Sequence, residues 1–511
     1  MKRLACIILI ATILVSGLFF VENAYAQIPA GITISSNEEW TISQSPVNFN
    51  GTVTVASGVT LTIDPGVTVN LGMYSLLVYG TLIAQGNSSS QIAFAATVNV
   101  NSGNLTLQNN LVVPIIFSSL NGATSSGSII QNAVFDGVYL AIDGASPEID
   151  SCLFNFATGV SPISIDGGSP VISNNTIDFN GQSIQGFGSG VDGINVFGGS
   201  PLITSNQFEG DFLGYSNIGI YVSSEVSGTP IINNNSFAAQ YSNSSEGISV
   251  VSGSPQITNN QFEGGGYLTG IIDSSSSYIT ISNNTFSNCL SGITAQAQST
   301  LTVQANSFLG GTDGIDITSE AASLTITDNL IDSNSLYGIN GGGSITSNTI
   351  SNNQIGIHNP SSGVISYNNI VGNTENSITA TVDNIDAANN WWGTTDTATI
   401  NRTIYDSKID YHLGTVTFTP FLTQPSTSAP TIPSYTPTIT PVPLPVPLST
   451  PTDEPVSMPS QDSPSFVNQV GTVLNLNVIT TATAIVLVLV WVILILGYAA
   501  KRGISKYREE S

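Results

Sequence analysis

Basic side chains are almost missing from the interior of this sequence. Of its eight Lys and Arg residues, two lie at the extreme N-terminus and four in the last eleven residues. Only Arg402 and Lys408 remain between residues 27 and 477, where thirty Asp and Glu leave a net charge of −28. Because contacts to phosphate need Lys and Arg, this composition excludes a nucleic-acid partner. The negative field favours cations and suits a surface that must stay soluble outside the cell.

Residues that usually hold metals or form cross-links are also scarce. The chain has three Cys, two His and three Met, and it lacks Cys-x-x-Cys, His-x-x-x-His and EF-hand spacings. We therefore expect no metal centre and no cofactor. Weak binding of Ca²⁺ between neighbouring carboxylates stays open.

Uncharged apolar runs stand near both ends of the chain. A Lys-Arg pair, an apolar run and an Ala-Tyr-Ala cleavage pattern predict a secretory signal peptide over residues 1–26, with an uncleaved anchor as the alternative. Residues 478–500 contain no charge and can span a ~30 Å hydrocarbon core. The basic residues of 501–511 follow at once and should lie in the cytoplasm. The sequence thus predicts a single-pass type I protein of the cell membrane with an extracellular ectodomain.

Proline dominates the segment before the predicted span. Twelve of the forty residues from Pro425 to Pro464 are proline, interleaved with Thr and Ser. Such a segment cannot bury a core and forms a semi-rigid polyproline II spacer. We therefore predict a Pro/Thr-rich stalk over residues 424–477.

Two short phrases alternate through the centre of the chain. The first is an aliphatic residue, two small or polar residues, Asn, any residue, then Phe or Ile. Its Asn falls at Asn175, Asn206, Asn235, Asn260, Asn284, Asn306, Asn329, Asn348 and Asn368, and Cys152 takes that place in a first, degenerate copy. The second phrase is Gly followed by Ile, as at Gly193, Gly247, Gly270, Gly292, Gly314, Gly338 and Gly356.

These phrases have the length and alternation of short β-strands separated by turns. No helical pattern of useful length intervenes, so the strands are not joined by helices. Residues that recur once per coil should stack, giving an Asn ladder at one corner and a Phe/Ile ladder inside. Asn tolerates left-handed backbone angles, and its amide can bond the amide of the next coil. The Asn column is therefore interpreted as structural and not as a binding site.

The phrases resemble the right-handed parallel β-helix repeats of the pectin-lyase-like superfamily, including those of the NosD type. The resemblance implies an all-β solenoid of about sixteen coils at ~4.8 Å each, followed by the stalk and one transmembrane helix. The expected domains are an N-terminal cap and first coils over 27–130, repeats over 131–392 and a C-terminal cap over 393–423. Trp391 and Trp392 are assigned to that cap rather than to a sugar platform. About five coils, or ~24 Å, separate Cys152 from Cys289, which predicts two free thiols.

The resemblance implies catalytic residue patterns that this sequence lacks. Lyase-like members pair Ca²⁺ with an Arg or Lys base, and after the predicted signal peptide no such residue precedes Arg402. Polygalacturonase-like members use clustered Asp with a His, whereas His358 and His412 lie outside any such cluster. We interpret His358 as an exposed turn residue. The Asp-Pro-His-Asp pattern of the epimerases is absent.

A hydrolase that uses two carboxylates alone stays possible. Four acids that follow the inward Phe or Ile should share one face: Asp178, Glu209, Glu263 and Asp332. Glu209 and Glu263 would lie roughly 10 Å apart. Such a coincidence is common in an acidic chain, so the sequence assigns no catalytic, cofactor-binding or metal-binding residue.

Asn-x-Ser/Thr sequons are frequent outside the predicted span. They include those that begin at Asn87, Asn104, Asn174, Asn234, Asn243, Asn283 and Asn401. We expect the sequons beside ladder Asn residues to be sterically blocked. Asn87 and Asn243 are the better candidates for glycosylation.

The sequence predicts a non-catalytic cell-surface β-helix protein for adhesion, glycan recognition or envelope structure. The alternative is a surface-tethered polysaccharide-active enzyme, a hydrolase or lyase of the same superfamily. The predicted partners are the membrane and, for the ectodomain, a polysaccharide or other surface glycan. The stalk, anchor and short basic tail resemble those of archaeal surface proteins, although a Gram-positive-like bacterium also fits.

Overall fold

The computed structural model describes most of the first of two compact units, Met1–Tyr435 and Thr436–Ser511. The described residues are 31–96, 112–119, 127–155, 160–179, 191–210, 217–223, 226, 228–238, 245–275, 278–296, 299–318, 323–360 and 363–432. The predicted signal peptide, membrane span and cytoplasmic tail lie outside them, as does the stalk after residue 432. Within the described residues no helix has the length and apolarity needed to cross a membrane.

The described residues form a parallel β-helix with three sheets, here called A, B and C in the order in which each coil visits them. Sheet A consists of Ile32–Ile34, Val53–Val55, Leu76–Val78, Val113–Ser118, Val138–Asp143, Ile163–Asp166, Asp192–Gly198, Ile218–Val222, Ser245–Val250, Leu268–Asp273, Ser291–Ala295, Asp313–Ile317, Tyr337–Asn340, Ile355–His358, Asn376–Thr379 and Ile404–Tyr405. Sheet B consists of Glu38–Trp40, Thr60–Ile63, Thr81–Gln85, Ile129–Gln131, Glu148–Asp150, Val171–Ser173, Leu202–Thr204, Ile231–Asn233, Gln256–Thr258, Tyr278–Ser282, Thr300–Gln304, Ser323–Thr327, Ser344–Thr346 and Ile365–Ser366. Sheet C consists of Val47–Asn48, Thr68–Asn70, Ile92–Ala95, Ala133–Asp136, Leu153–Asn155, Thr176–Asp178, Gln207–Glu209, Ser236–Ala238, Gln261–Glu263, Thr285–Ser287, Ser307–Leu309, Leu330–Asp332, Thr349–Ser351 and Asn369–Val371.

The three sheets define fourteen complete coils, numbered here from the N-terminus, and sheet A gains two further strands, to sixteen. The turns between sheets are named the A–B, B–C and C–A corners. The strands are paired in parallel and strictly in sequence order, so that each coil lies on the one before it. The predicted all-β solenoid is therefore confirmed.

Aromatic rings fill the interior where the sequence predicts a ladder. Five Phe residues of sheet C stack in consecutive coils with ring centroids 4.7–4.8 Å apart: Phe208, Phe237, Phe262, Phe286 and Phe308. Their side chains are 1–2% exposed. The ring spacing matches the separation of neighbouring strands, so the backbone ladder sets the aromatic stack.

The Gly of the second phrase makes room for these rings. A Cβ at Gly247 would lie 2.6 Å from Cε1 of Phe262 and 2.6 Å from the carbonyl oxygen of Gly270. No real Cβ approaches another atom so closely. Gly therefore recurs because a carbonyl oxygen of the next coil, and in the coils that carry Phe also the aromatic ring, occupies the space of a side chain.

A buried Asn ladder runs along the B–C corner, as predicted. It comprises Asn175, Asn206, Asn235, Asn260, Asn284, Asn306, Asn329, Asn348, Asn368 and Asn390, which are 0–1% exposed. Each Nδ2 up to Asn368 donates to the Oδ1 of the next coil's Asn at 2.9–3.1 Å. Cys152 starts the column, because its backbone N–H donates to Oδ1 of Asn175 at 2.9 Å.

We had expected the ladder Asn to adopt the left-handed backbone conformation at this corner, but it does not. That conformation belongs to the residue before it, such as Asn259 with φ +57° and Asn283 with φ +58°. That residue turns outward, and the following Asn enters the corner. The expectation placed the turn one residue too late.

The C-terminal end is closed by a small layer. An α-helix, Thr397–Arg402, is capped by Asp396, whose carboxylate accepts the N–H groups of Ala398 and Thr399 at 3.3 and 3.2 Å. Two strands, Ile385–Asp386 and Val416–Thr417, pair beside it. A 3-10 turn, Ile42–Gln44, lies in the first coil.

Trp392 belongs to this closing layer. Its side chain is buried and meets the ring of Phe418 edge-on at 6.2 Å between centroids. Asp406 is buried beside it, accepting the N–H of Val416 at 3.0 Å and pairing with Lys408 at 2.9 Å. The layer covers the open end of the core. Without it, the strand edges of the last coil would be exposed and could pair with other chains.

The chain after the cap folds back onto coils 13 and 14. The N–H of Ser426 donates to Oδ1 of Asn369 at 2.8 Å, and Oγ1 of Thr349 donates to the carbonyl oxygen of Pro430. Ser426 is 9% exposed. The described part of the segment predicted as stalk is therefore held against sheet C.

Both described cysteines are free and buried, which confirms the prediction of two isolated thiols. Cys152 lies at the B–C corner of coil 5 and Cys289 at the C–A corner after coil 10. Burial raises the pKa of each thiol to about 12. The thiols are therefore protonated and unreactive at neutral pH.

Candidate functional site

A groove of about 360 Å³ opens at the C–A corner, across four successive turns that follow coils 9 to 12. This corner groove is lined by Gly265, Gly266, Asn288, Cys289, Gly310, Gly311, Thr312 and Ser335. None of these residues carries a charge at neutral pH. Amide, hydroxyl and peptide groups are therefore what the groove offers to a ligand.

Glycine keeps the groove open. A Cβ at Gly266 would meet nothing within 4 Å, so any side chain there would project into free space. Gly266 and Gly310 have φ of +90° and +67°, a region that most side chains avoid. At Gly311 a Cβ would come within 2.6 Å of the carbonyl oxygen of Cys289. Pairs of Gly in alternate turns, those after coils 9 and 11, thus form a shallow channel.

An exposed aromatic residue adjoins the lining residues of the groove in the chain. Tyr267 follows Gly266 directly, and 48% of its surface is exposed. Tyrosine offers an apolar ring face together with a hydrogen-bonding hydroxyl. That combination suits the face of a sugar ring, which is apolar on its C–H side and polar at its edge.

Asp313, the residue after the lining residue Thr312, begins the sheet A strand Asp313–Ile317. Burial raises the pKa of Asp313 to about 6, and Asp316 adds to the rise, while the backbone N–H of Tyr337 opposes it. Oδ1 of Asp316 accepts a hydrogen bond from Nδ2 of Asn340 at 2.8 Å. The sheet A strand that follows the groove thus carries two carboxyl groups, at Asp313 and Asp316.

His358 lies on the same face, and its predicted position in an exposed turn was wrong. It ends the sheet A strand Ile355–His358, is half-buried, and stacks on Tyr337 at 4.4 Å between ring centroids. Its Nε2 lies 2.9 Å from Nδ2 of Asn359, and its Nδ1 is buried without a hydrogen-bond partner among the described residues. Burial lowers the pKa of this imidazole. His412 lies apart, in the closing layer, against Asp410 at 2.9 Å.

Two further carboxyls lie on sheet A towards the N-terminal side. Asp192 and Glu246 occupy one column, two coils apart, with Ile218 between them. Burial raises the pKa of Asp192 to about 6, Glu246 adds to this, and a hydrogen bond from Asn195 opposes it. Burial also raises the pKa of Glu246, against a hydrogen bond from Ser249. The pair lies about 10 Å apart by coil spacing.

Sequence reasoning missed these carboxyls although a signal was present. Asp192, Glu246 and Asp313 each stand immediately before the Gly of a Gly-Ile phrase. Since Gly-Ile begins the inward part of the strand, the preceding acid is placed at the C–A corner. Its partial burial could not be deduced from the phrase alone.

The four acids predicted to share a face do lie in the outer column of sheet C. Asp178 pairs in register with Glu209, and Glu263 stands two coils beyond Glu209. Glu209 and Glu263 are exposed and do not line the corner groove. Asp332 accepts hydrogen bonds from Nδ2 of Asn352 at 2.8 Å and from Oγ of Ser351.

Across the described parts of the chain, no three His, Cys, Asp or Glu side chains come together as metal ligands. Asp150, one of the most bonded acids, accepts from Ser173 Oγ at 2.8 Å and Asn174 Nδ2 at 2.7 Å. Burial pushes its pKa up, but these hydrogen bonds outweigh the burial and leave the pKa lowered. Its role is to join adjacent coils.

Comparisons with known proteins agree with the architecture. Residues 192–355, about a third of the chain, match the family model described as a right handed beta helix region. The winding seen here is thus a right-handed parallel β-helix, and the matched stretch contains the corner groove and the sheet A carboxyls. The resemblance of the repeats to right-handed parallel β-helix repeats is therefore confirmed.

Solved structures show only a distant likeness. Two mutants of the periplasmic alginate epimerase AlgG align over 77% of this chain and 83% of theirs, with 13% and 10% identity and TM-scores of 0.32 and 0.25. A likeness of this degree carries no argument about activity. A search of curated proteins finds no match.

Proposed function

We propose that the protein recognises an uncharged polysaccharide outside the cell without cleaving it. The observation that carries this proposal is the corner groove, whose lining holds only amide, hydroxyl, thiol and peptide groups and is followed directly in the chain by the exposed Tyr267. Sugar hydroxyls both donate and accept hydrogen bonds, so such a lining matches them. An aromatic face supplies the apolar contact.

Charge selects the class of glycan. The exported part has Arg402 and Lys408 as its basic residues against thirty acids, and neither base lies near the groove in sequence. An anionic chain such as a polyuronate would be repelled by this field. The ligand is therefore a neutral polysaccharide.

The location at the cell surface is part of the same proposal. It rests on the signal peptide, the apolar segment 478–500 and the basic residues that follow it. The proline-rich segment would hold the solenoid away from the membrane. Adhesion and envelope structure are the biological roles that such a module would serve.

Binding to neutral glucans, mannans and chitin oligomers, with alginate as the anionic comparison, tests the proposal. We would use residues 27–432, because Ser426 and Pro430 bond to the solenoid. Tyr267→Ala should weaken binding by up to about tenfold, since ring contacts contribute up to ~1.5 kcal/mol. Ser335→Trp should abolish it by filling the groove.

Tyr278→Ala is the matched control. This tyrosine is 74% exposed and lies on sheet B, away from the groove. Its removal should leave affinity unchanged. Equal losses in the two tyrosine variants, or preferential binding of alginate, would contradict the proposal.

A second function is favoured by Asp192 and Glu246. Two carboxyls of raised pKa on one face, about 10 Å apart, are near the separation of an inverting acid–base pair. On this account the protein is a surface-tethered glycoside hydrolase. Product analysis after incubation with the bound glycan tests it, because new reducing ends that disappear in Asp192→Asn would establish hydrolysis.

A further inference from the structure

One corner of the solenoid carries most of the Asn-x-Ser/Thr sequons that lie within the described residues. Six sequons are fully described, and four of them fall at the B–C corner, in coils 3, 6, 8 and 10: Asn87, Asn174, Asn234 and Asn283. Asn50 lies at the C–A corner after coil 1, and Asn401 lies in the C-terminal helix. The coil register thus gathers sites that are up to 196 residues apart in sequence, from position 87 to position 283.

Three of the four share one local geometry. Asn174, Asn234 and Asn283 have φ of +56°, +59° and +58° and are exposed, while the ladder Asn that follows each of them is buried. The sequon Asn is thus the residue that turns outward, and the ladder Asn is the middle residue of the sequon. The expectation that the ladder blocks these sites was wrong.

Asn87 presents its amide in another way. It is exposed in the turn after sheet B of coil 3, and its Oδ1 accepts the N–H of Ser89 at 3.1 Å and Oγ of Ser89 at 2.7 Å. The hydroxyl of the sequon therefore already contacts the amide of the sequon. In the helical sequon at Asn401, Oγ1 of Thr403 instead donates to the carbonyl oxygen of Ile400 at 2.9 Å.

We infer that Asn87, Asn174, Asn234 and Asn283 are N-glycosylation sites that form one row along the B–C corner. The donor would be a lipid-linked oligosaccharide phosphate or pyrophosphate. Nδ2 forms a bond to the anomeric carbon, the bond from that carbon to the phosphate oxygen breaks, and one amide proton leaves to the transferase.

The substituted amide keeps one N–H, so the corner is not disrupted. Nδ2 of Asn174 donates to Oδ1 of Asp150 at 2.7 Å, and Nδ2 of Asn234 donates to Oγ of Ser205 at 3.0 Å. The remaining N–H can maintain either bond. Modification in coils 6, 8 and 10 leaves an unmodified coil between glycans, about 10 Å apart.

Glycopeptide mass spectrometry of the full chain, purified from membranes of the organism that makes it, tests the inference. The four corner peptides should carry hexose-containing mass increments, and the Asn401 peptide should be unmodified. Unmodified corner peptides would overturn the inference. Modification of Asn401 with the corner sites empty would overturn it as well.

A designed site separates corner geometry from chance occupancy. Asn259 holds the same position in coil 9, with φ +57° and an exposed side chain, but Gln261 breaks the sequon. Gln261→Thr completes it and should add one glycan, seen as a new glycopeptide. Gln261→Ala should add none. A Gln261→Thr protein that carries glycans at the other corner sites but none at Asn259 would contradict the inference. Neither result depends on the proposed polysaccharide ligand.

Discussion

Replacing one member of the Asn ladder tests how the coils are held together. Oδ1 of Asn260 accepts the backbone N–H and Nδ2 of Asn235 at 2.8 and 3.0 Å. Its Nδ2 donates to the carbonyl oxygen of Ile232 and to Oδ1 of Asn284, both at 3.0 Å. The substitution Asn260→Ala removes all four bonds and strands the donors of Asn235 in a buried corner.

The expected loss follows from these four bonds. Each buried hydrogen bond contributes about 1 kcal/mol, and each stranded donor costs about 1–3 kcal/mol. The four lost bonds alone amount to about 4 kcal/mol and the two stranded donors add to this, so the free energy of unfolding should fall by at least about 4 kcal/mol, at the upper end for a single substitution. Asn259→Gly is the control, because it removes one exposed bond at a positive φ that Gly tolerates and should change stability by less than about 1 kcal/mol.

Urea unfolding followed by tryptophan fluorescence measures this loss. Trp40 in coil 1 and Trp392 in the closing layer are both buried, so the summed fluorescence reports on both ends of the solenoid. Because solenoids can unfold in parts, hydrogen exchange over coils 8 to 11 would localise the effect. If Asn260→Ala cost no more than Asn259→Gly, the ladder would not be a major source of stability.

Three further predictions follow from the interior and the sheet A face. Gly247→Ala should lower the melting temperature, since its Cβ would lie 2.6 Å from the ring of Phe262 and overpacking costs about 1–3 kcal/mol; unchanged melting would disprove the steric role of the glycine column. The raised pKa of Asp192, about 6, means that the folded state binds more protons, so its contribution to stability is present below pH ~4 and is lost as pH rises through 6. Asp192→Asn should therefore raise the melting temperature at pH 7.5 and flatten its pH dependence; the effect is at most about 3 kcal/mol, reduced by the carboxyl's partial exposure to water. Cys152 and Cys289 should resist iodoacetamide in the native protein and react with it in urea, and native labelling would contradict their burial.

The repeats predicted much of the fold because periodic residues report stacking directly. The Phe column, the Asn column and the separation of Cys152 from Cys289 all depend on register alone. The reason for the glycine column was not predictable, because Gly247 meets Phe262 only when one coil closes on itself. The position of His358 was missed because Asn359 and Pro360 after it signal a turn, although the strand ends only at His358.

The candidate site was less accessible to prediction than the fold. The acids before Gly-Ile are visible in the sequence, but their burial depends on how adjacent turns cover the edge of sheet A. The corner groove arises only when Gly266 and Gly310, two coils apart, are brought to the same corner. Such a groove has no local signal beyond glycine pairs, which any turn can contain.

The most direct test of the central claim is one incubation of residues 27–432 with neutral polysaccharides, in which binding and new reducing ends are measured on the same samples. The account predicts saturable binding that Ser335→Trp abolishes, with no reducing ends above the blank, in Ca²⁺ or in chelator. Reducing ends that increase with time and vanish in Asp192→Asn would contradict it and identify a hydrolase on sheet A.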